Sequence, residues 1–244
     1  MSNHSYSQYV ESIAQQYLQL SGLPLPEPTP LYKPGAISDQ PRILILSPHP
    51  DDECLMAACA LRMQEEWGAQ VTVVPYSYGS NVSRRVSRSQ ELKDALTILG
   101  FNLFDPRKNA AYEKLTQEEF LDAVKHIDPE VIIAPHAKDR HPTHIEAHAM
   151  ACLAKSAKLL VQTEYWQAAE EPNLFISLST QHVVKIGEAL MKHVGEVARN
   201  PYHLSLPAWY MDQARRAPEI IPSGFGGKGS NYIFGQLLHM GRIR

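Results

Sequence analysis

The sequence lacks the features that mark several classes of protein. It has only three cysteines, Cys54, Cys59 and Cys152, an odd number that suits reduced thiols better than a disulfide framework. No apolar run reaches the length of a membrane span, and residues 1–10 lack the cationic and apolar blocks of a signal peptide. We therefore expect a cytoplasmic protein with no membrane span.

An excess of charge of one sign is also missing. Lysine and arginine together number 23, aspartate and glutamate 26, and the formal net charge at pH 7 is −3. This balance provides no basic field for nucleic acid and no acidic excess of the kind that indicates disorder. Hydrophobic residues make up 44% of the 244 residues, which is enough to bury a sizeable core. We expect one globular α/β domain with no nucleic-acid partner.

Crowded prolines set the N-terminal part of the chain apart. Residues 8–20 have a weak helical pattern, and the prolines follow at positions 24, 26, 28, 30 and 34. Proline cannot donate a backbone hydrogen bond, so such a stretch does not form the interior of a helix or sheet. The pattern predicts that residues 1–40 form an extended arm packed on the domain and that residues 41–244 form a single domain.

Apolar runs alternate with helical patterns along that domain. Strands are predicted at residues 42–46, 71–76, 131–134, 160–166 and 174–178. Helices are predicted at residues 53–67, around 92–99, after a capping box at Thr116 and Glu119, and at 145–159 and 183–197. A glycine-rich loop is predicted at residues 223–230. This alternation predicts an α/β fold with a Rossmann-like, doubly wound, mostly parallel sheet and helices on both faces.

Two polar clusters follow two of the predicted strands. His49, Asp51 and Asp52 come after residues 42–46, and a histidine-rich segment at residues 136–148 comes after residues 131–134. Open α/β sheets place ligands at the carboxyl ends of their strands, so both clusters lie at one edge. An imidazole beside two consecutive carboxylates is costly to pack unless a cation compensates. One His and one Asp from the first cluster and one His from the second would suit a catalytic zinc, which leaves a fourth position for water.

The spacing of these clusters resembles that of a known enzyme family. Pro48-His49-Pro50-Asp51-Asp52-Glu53, followed by His141-Pro142-Thr143-His144, looks like the signature pair of the PIG-L/LmbE-like N-deacetylases. This family removes acetyl groups from N-acetylglucosamine-type substrates. One position differs, because Thr143 stands where the family commonly has an aspartate that could orient a neighbouring imidazole. The resemblance extends from about Arg42 towards the C-terminus.

The resemblance implies a role for each matching residue. It implies that His49, Asp52 and His144 bind Zn²⁺, and that Asp51 is the general base acting on the attacking water. It also implies that His141 stabilises the oxyanion or protonates the leaving amine.

Outside the two motifs, several residues remain candidates for binding. Arg88 is expected to contact the substrate, and Arg85 and Asn81 are further candidates, with a solvated helical face as the alternative. For His136 and His148, a packed or supporting role is favoured over direct metal ligation.

The residues and the resemblance together predict a zinc-dependent N-deacetylase of a small N-acyl amino sugar or its glycoside, and the resemblance implies a homo-oligomer. Two alternatives remain open at this point. One is a metal-free module that binds carbohydrate or nucleotide. The other is a hydrolase of a different bond, such as the amide of a thiol-sugar conjugate or a phosphoester.

Overall fold

The computed structural model describes residues 3–22, 26–107, 113–221 and 230–243. Its helices are α1 (Asn3–Ser21), α2 (Asp52–Leu55), α3 (Ala57–Trp67), α4 (Arg85–Leu99), α5 (Gln117–Ile127), α6 (Pro142–Ala151), α7 (Thr180–Leu190), α8 (Val194–Arg199) and α9 (Tyr202–Ile220). Its strands are β1 (Arg42–Ser47), β2 (Gln70–Pro75), β3 (Asn102–Leu103), β4 (Val131–Pro135), β5 (Leu159–Thr163), β6 (Leu174–Leu178) and β7 (Phe234–Gly241). Within these ranges, no helix combines the length and the apolar character needed to cross a membrane.

The strands form one seven-stranded sheet in the order β3-β2-β1-β4-β5-β7-β6. All pairs from β3 to β5 are parallel, and β7 is antiparallel to both of its neighbours. The predicted mostly parallel, Rossmann-like sheet is therefore confirmed. The chain runs outward from β1 to β3 and then returns to place β4 on the other side of β1. The gap between the carboxyl ends of β1 and β4 is the position where such sheets bind ligands.

Alternate side chains of the central strands enter two separate cores. Ile43 and Ile45 of β1 pack with residues of α3, α4, α7 and α9, whereas Leu44 and Leu46 pack with residues of α5 and α6. Because both faces are buried, the strand is apolar at nearly every position. The prediction of helices on both faces is confirmed.

Several predicted boundaries differ from those observed. The helix predicted at residues 53–67 is interrupted at Met56, and the one predicted at 183–197 is divided into α7 and α8. The helix predicted at 145–159 ends at Ala151 because the chain then turns to enter β5. Helix α9 and strand β7 were not predicted, because prolines interrupt the pattern of the first and glycines that of the second. Of the predicted glycine-rich loop, residues 223–229 lie outside the described part.

The prediction that residues 1–40 form an extended arm is wrong for its first half, because α1 is a helix. This helix packs through Tyr6 and Val10 into the larger core. The Tyr6 ring lies against Gly187 of α7, where an added Cβ would be 1.9 Å from the ring, and the Tyr6 hydroxyl donates to the His203 carbonyl at 2.8 Å. The weak helical pattern at residues 8–20 indicates this helix. Which of its faces is buried depends on its packing against α7, which the pattern does not reveal.

Glu130, just before β4, holds the later part of the N-terminal segment. Its carboxylate accepts hydrogen bonds from the Ser38 amide at 3.1 Å, from the Ser38 hydroxyl, and from Lys158 Nζ at 2.6 Å. Burial alone would raise the pKa of Glu130, but Lys158 and Ser38 outweigh burial and lower this pKa to about 2. The ionised carboxylate is thus part of the folded structure.

We expect Glu130→Gln to lower the free energy of unfolding by about 1.5–3 kcal/mol near neutral pH, the usual value for hydrogen bonds to a charged group. Because the folded pKa lies below the unfolded one, this contribution is present above about pH 4.5 and is lost as pH falls towards about 2. Denaturant unfolding of wild type and Glu130→Gln from pH 7 to pH 2 should show that the difference between their free energies of unfolding shrinks as the pH falls from about 4.5 to about 2. Glu27→Gln, at an exposed position of the same segment, is the control and should show no such narrowing. A difference independent of pH would contradict the prediction.

Candidate functional site

The loop after β1 brings His49 and Asp52 together. The His49 amide donates to Asp52 Oδ2 at 2.9 Å, and His49 Nδ1 lies 3.1 Å from the same oxygen. The Asp52 amide in turn donates to the His49 carbonyl at 3.1 Å. These contacts fold residues 49–52 into a tight turn that ends in α2, so both side chains are fixed by the local backbone.

Asp51, within that turn, has an unusual backbone conformation. Its φ is 122° and its ψ is −35°, a region that residues other than glycine rarely adopt. Among the described residues, Asp128 at the end of α5 is the other non-glycine residue with positive φ. The Asp51 carboxyl lines a cleft at this edge of the sheet. Such strain is characteristic of residues whose position matters for function.

The loop after β4 supplies the second half of the site. His141 caps α6 and His144 lies in its first turn, and both are held by Asp139. Asp139 Oδ1 accepts the His141 amide at 2.8 Å, and Asp139 Oδ2 lies 3.2 Å from His144 Nδ1. A carboxylate that orients an imidazole is therefore present, although Thr143 occupies the position where the family pattern would place it. Asp139 lies within the polar cluster predicted at residues 136–148, but the sequence assigns it no role. Its contacts depend on an irregular loop, whose path no periodic pattern predicts.

The two loops meet at Asp52. His144 Nε2 lies 3.2 Å from Asp52 Oδ2, the oxygen that also faces His49. Ring nitrogens of His49, His141 and His144 lie within 4.8 Å of one another, and His141 Nδ1 is buried without a hydrogen-bond partner in the described part of the chain. The structure thus brings together all the residues implied as metal ligands, with His141 beside them. Two or three imidazoles with one carboxylate form a donor set that suits zinc.

The charges in this cluster are mutually dependent. Burial alone would lower the pKa of His144, but the carboxylates of Asp52 and Asp139 raise it to about 10. Burial would raise the pKa of Asp52, but His144 and His49 hold it well below its usual value. Burial lowers the pKa of His141, and the neighbouring His144 and His49 lower it further. The cluster therefore contains an ionised Asp52 carboxylate, a His144 imidazole that favours the protonated form beside it, and a His141 imidazole that favours the neutral form.

Arg88 of α4 lies against the Asp51 turn. Its Nη2 donates to the Pro50 carbonyl at 2.9 Å and lies 3.6 Å from Asp51 Oδ1, and its Nη1 lies 3.7 Å from Glu196 Oε1. Gly79 makes room for it, since a Cβ there would be 2.5 Å from Arg88 Nη1. Burial and Asp52 raise the pKa of Asp51 well above its usual value, whereas Arg88 acts in the opposite direction. Arg88 both lines the cleft and stabilises the turn.

The cleft above these residues has a volume of about 410 Å³. It is lined by His49, Asp51, Asp52, Ser77, Gly79, Ser80, Arg85, Arg88, Lys114, His141, Thr143, His144, Tyr165, Trp166, Glu196, Arg199 and Tyr202. Arg85 and Arg88, two of the predicted substrate-binding residues, are therefore at the cleft. Asn81 is not among the lining residues; it is exposed, and its side chain accepts a hydrogen bond from the Ser83 hydroxyl at 2.7 Å.

His136 and His148 lie outside the cluster. His136 Nε2 faces the Gln167 carbonyl at 2.9 Å, and His148 Nδ1 faces the Pro135 carbonyl at 2.9 Å. Each imidazole thus has a backbone partner and supports the loop or helix in which it lies. These contacts agree with the supporting role that the sequence favoured.

An aromatic wall was not predicted as part of the site. The Tyr165 ring stacks on His144 with centroids 5.6 Å apart, and Trp166 lies edge-on to Tyr202 at 5.9 Å. Aromatic residues also pack in cores and at interfaces, so their residue types alone do not assign Trp166 and Tyr202 to a site. β5 ends at Thr163, so Tyr165 and Trp166 lie just beyond the carboxyl end of a strand, as the two polar clusters do.

Comparison with known proteins supports the family resemblance. Residues 44–155, which contain both motifs, match the family model described as PIG-L: GlcNAc-PI de-N-acetylase. This match confirms the resemblance inferred from the motifs. No curated protein sequence matches the chain.

Solved structures similar to this chain include enzymes of two kinds. The hydratase GalB, from Pseudomonas putida KT2440, is 17% identical with a TM-score of 0.65 over 82% of this chain and 96% of that one. The N,N'-diacetylchitobiose deacetylase of Pyrococcus horikoshii is 13% identical with a TM-score of 0.61 over 96% and 92%. Dbv21, the A40926 pseudoaglycone deacetylase, is 19% identical with a TM-score of 0.57 over 84% and 99%. At these identities the likeness establishes the fold alone. The finding that points to a hydrolytic deacetylase is the family match over residues 44–155.

The strain at Asp51 predicts an unusual order of stabilities. We expect Asp51→Gly to be more stable than Asp51→Ala by about 1 kcal/mol, because both variants remove the carboxylate and only glycine adopts this φ without cost. At Asp122, an exposed position within α5, the order should reverse, since glycine weakens a helix interior by about 0.5–1 kcal/mol relative to alanine. Chemical denaturation of the four variants measures both differences. Equal stability of the two Asp51 variants would show that the turn is not strained.

Proposed function

We propose that the cleft is the active site of a zinc-dependent N-deacetylase acting on an N-acetylglucosamine-type amino sugar or its glycoside. The observation that carries the proposal is the meeting of His49, Asp52 and His144 at the base of the cleft, with Asp51 and His141 beside them. The PIG-L match over the segment that contains all five residues supports the same function.

The donor set fits a catalytic zinc ion. His49, Asp52 and His144 would hold it, and Asp139, whose Oδ2 lies 3.2 Å from His144 Nδ1, orients the His144 ring. When bound, zinc lowers the pKa of a water molecule and polarises an amide carbonyl. The ionised Asp52 carboxylate supplies the negative charge that a divalent cation needs in a buried position.

We assign the role of general base to Asp51. Its carboxyl lines the cleft next to Asp52, and the turn leaves it outside the proposed ligand set. It accepts a proton from the attacking water as the water oxygen bonds to the carbonyl carbon, and that proton is then available to the departing amine. Arg88 beside Asp51 favours the ionised form that this step requires.

We assign the stabilisation of the oxyanion to His141. Its ring is half-buried at the cleft, its Nδ1 has no hydrogen-bond partner in the described part of the chain, and its amide is fixed by Asp139. A fixed N–H directed at the developing charge contributes most where water is excluded. When the C–N bond breaks, the carbonyl carbon becomes that of a carboxylate and the nitrogen leaves as the free amine.

The walls of the cleft suit an amino sugar. A volume of about 410 Å³ lies within the range of small-molecule sites. Tyr165, Trp166 and Tyr202 offer aromatic faces for a sugar ring, while Arg85 and Arg88 offer donors for hydroxyl or acidic groups. We include Arg85 and Arg88 among the substrate-binding residues on this basis.

Substitutions at Asp51 and His49 separate catalysis from metal binding. We expect Asp51→Asn to lower kcat by about 10²–10⁴-fold, since the base is lost, while about one zinc per chain remains. His49→Ala should lose both the metal and the activity. The measurements are elemental analysis and release of free amine from N-acetylglucosamine and N,N'-diacetylchitobiose. His126→Ala, at an exposed histidine of α5, is the control and should retain both.

The alternative functions are separated by two further measurements on wild type, namely binding of these sugars and hydrolysis of a thiol-sugar amide and a phosphoester. A chain that binds these sugars without metal and without turnover would be a carbohydrate-binding module and would refute the proposal. A zinc-loaded chain that cleaves the amide of a thiol-sugar conjugate or a phosphoester, but no N-acetyl sugar, would retain the metal site and refute the substrate class.

A further inference from the structure

A buried pair, Glu53 and His193, contacts the Asp51 turn. Glu53 follows Asp52 in α2, and His193 lies in the turn between α7 and α8. Both side chains are 0% exposed, and His193 Nε2 lies 2.6 Å from Glu53 Oε1. Neither residue lines the cleft. Burying such groups is costly unless they are fully hydrogen-bonded, so their bonds indicate what the pair holds in place.

The second oxygen of Glu53 holds the strained peptide. Glu53 Oε2 accepts the Asp51 amide at 2.9 Å and lies 3.4 Å from the Ser47 hydroxyl. One carboxylate therefore connects the Asp51 backbone, with its φ of 122°, to His193 on the far side. Without this acceptor, the Asp51 amide would be a buried donor without a partner, and the turn would lose the bond that favours its conformation.

The hydrogen-bonding of His193 defines its role. Its Nδ1 is buried and has no hydrogen-bond partner in the described ranges, so a proton there would be unsatisfied. The ring proton therefore lies on Nε2 and is donated to Glu53 Oε1. The His193 carbonyl accepts the amide of Glu196, which faces Arg88 on the other side of the Asp51 turn. The α7–α8 turn is thus connected to the Asp51 turn in two ways, through Glu53 and through Glu196 with Arg88.

A metal ion held by this pair and the neighbouring Cys54 would be another explanation, since their donor atoms lie within 4.8 Å of one another. The contact of 2.6 Å argues against it, because nitrogen and oxygen ligands on a tetrahedral zinc ion are about 3.3 Å apart. Burial also raises the pKa of the Cys54 thiol well above its usual value, which disfavours a thiolate ligand. The group is a hydrogen-bonded support.

We propose that Glu53 and His193 are positioning residues for the deacetylation. They hold the Asp51 peptide in its strained conformation, so that the carboxylate remains at the cleft beside the metal ligands. This inference rests on the proposed function of Asp51. It gives His193, which lies 140 residues from Glu53 in sequence, a role in catalysis although it does not touch the substrate.

Two substitutions of similar size at His193 test the proposal. His193→Gln retains a side-chain N–H that can reach Glu53, whereas His193→Met fills the space without a donor. We expect His193→Met to lower kcat for N,N'-diacetylchitobiose by about 100-fold through misplacement of the base, with an almost unchanged KM and a full complement of zinc. His193→Gln should stay within about threefold of wild type, because the hydrogen bond is retained. Equal activities in the two variants would overturn the proposal.

A double substitution distinguishes positioning from general destabilisation. In the Asp51→Asn background, adding His193→Met should cause almost no further loss, because the pair acts through the Asp51 carboxylate. A multiplied loss would show that His193 has only a structural role and would overturn the proposal. If wild type itself deacetylates none of the N-acetyl sugars, the proposed function fails on its own.

Crystal structures of the two His193 variants test, without any activity measurement, whether the Glu53–His193 pair holds the Asp51 backbone. We expect the Asp51 φ to change in His193→Met and to stay near 122° in His193→Gln. An unchanged φ in both variants would refute the inference.

Discussion

The site depends on one oxygen atom, Asp52 Oδ2, which faces an imidazole from each of two separate loops. His49 approaches it at 3.1 Å from the turn after β1, and His144 approaches it at 3.2 Å from the first turn of α6. Three polar groups converge in this way only because β1 and β4 are adjacent and parallel, so their carboxyl ends open at the same point. The burial of both sheet faces then keeps the two loops at a constant separation.

Much of this arrangement follows from local sequence. The run of apolar residues at 42–46 indicates a strand buried on both faces, and Thr116 with Glu119 forms the capping box that its spacing indicates. The convergence of His49, Asp52 and His144 follows once two polar clusters are placed at strand ends. These inferences need only the periodicity of side chains and the rule on where parallel strands end.

Other features depend on contacts between distant parts of the chain. Nothing near Asp139 in the sequence shows that its carboxylate holds two histidines, because that depends on the path of an irregular loop. The prolines of α9 mask its helical pattern, and tertiary packing overrides them. The end of β5 places Tyr165 at the edge of the sheet where the site lies, but its stacking on His144 depends on packing between distant segments.

Because the site lies where the strand order reverses, metal binding and substrate recognition depend on different parts of the fold. The groups proposed to hold the metal lie in the segments that follow the adjacent strands β1 and β4. Arg85, Arg199 and Tyr202, which line the cleft walls, belong instead to α4, α8 and α9. Substitutions in these helices can change the cleft walls around a substrate without disturbing the residues proposed to bind the metal. Selection can therefore diversify the accepted molecules while the reactive centre is inherited intact.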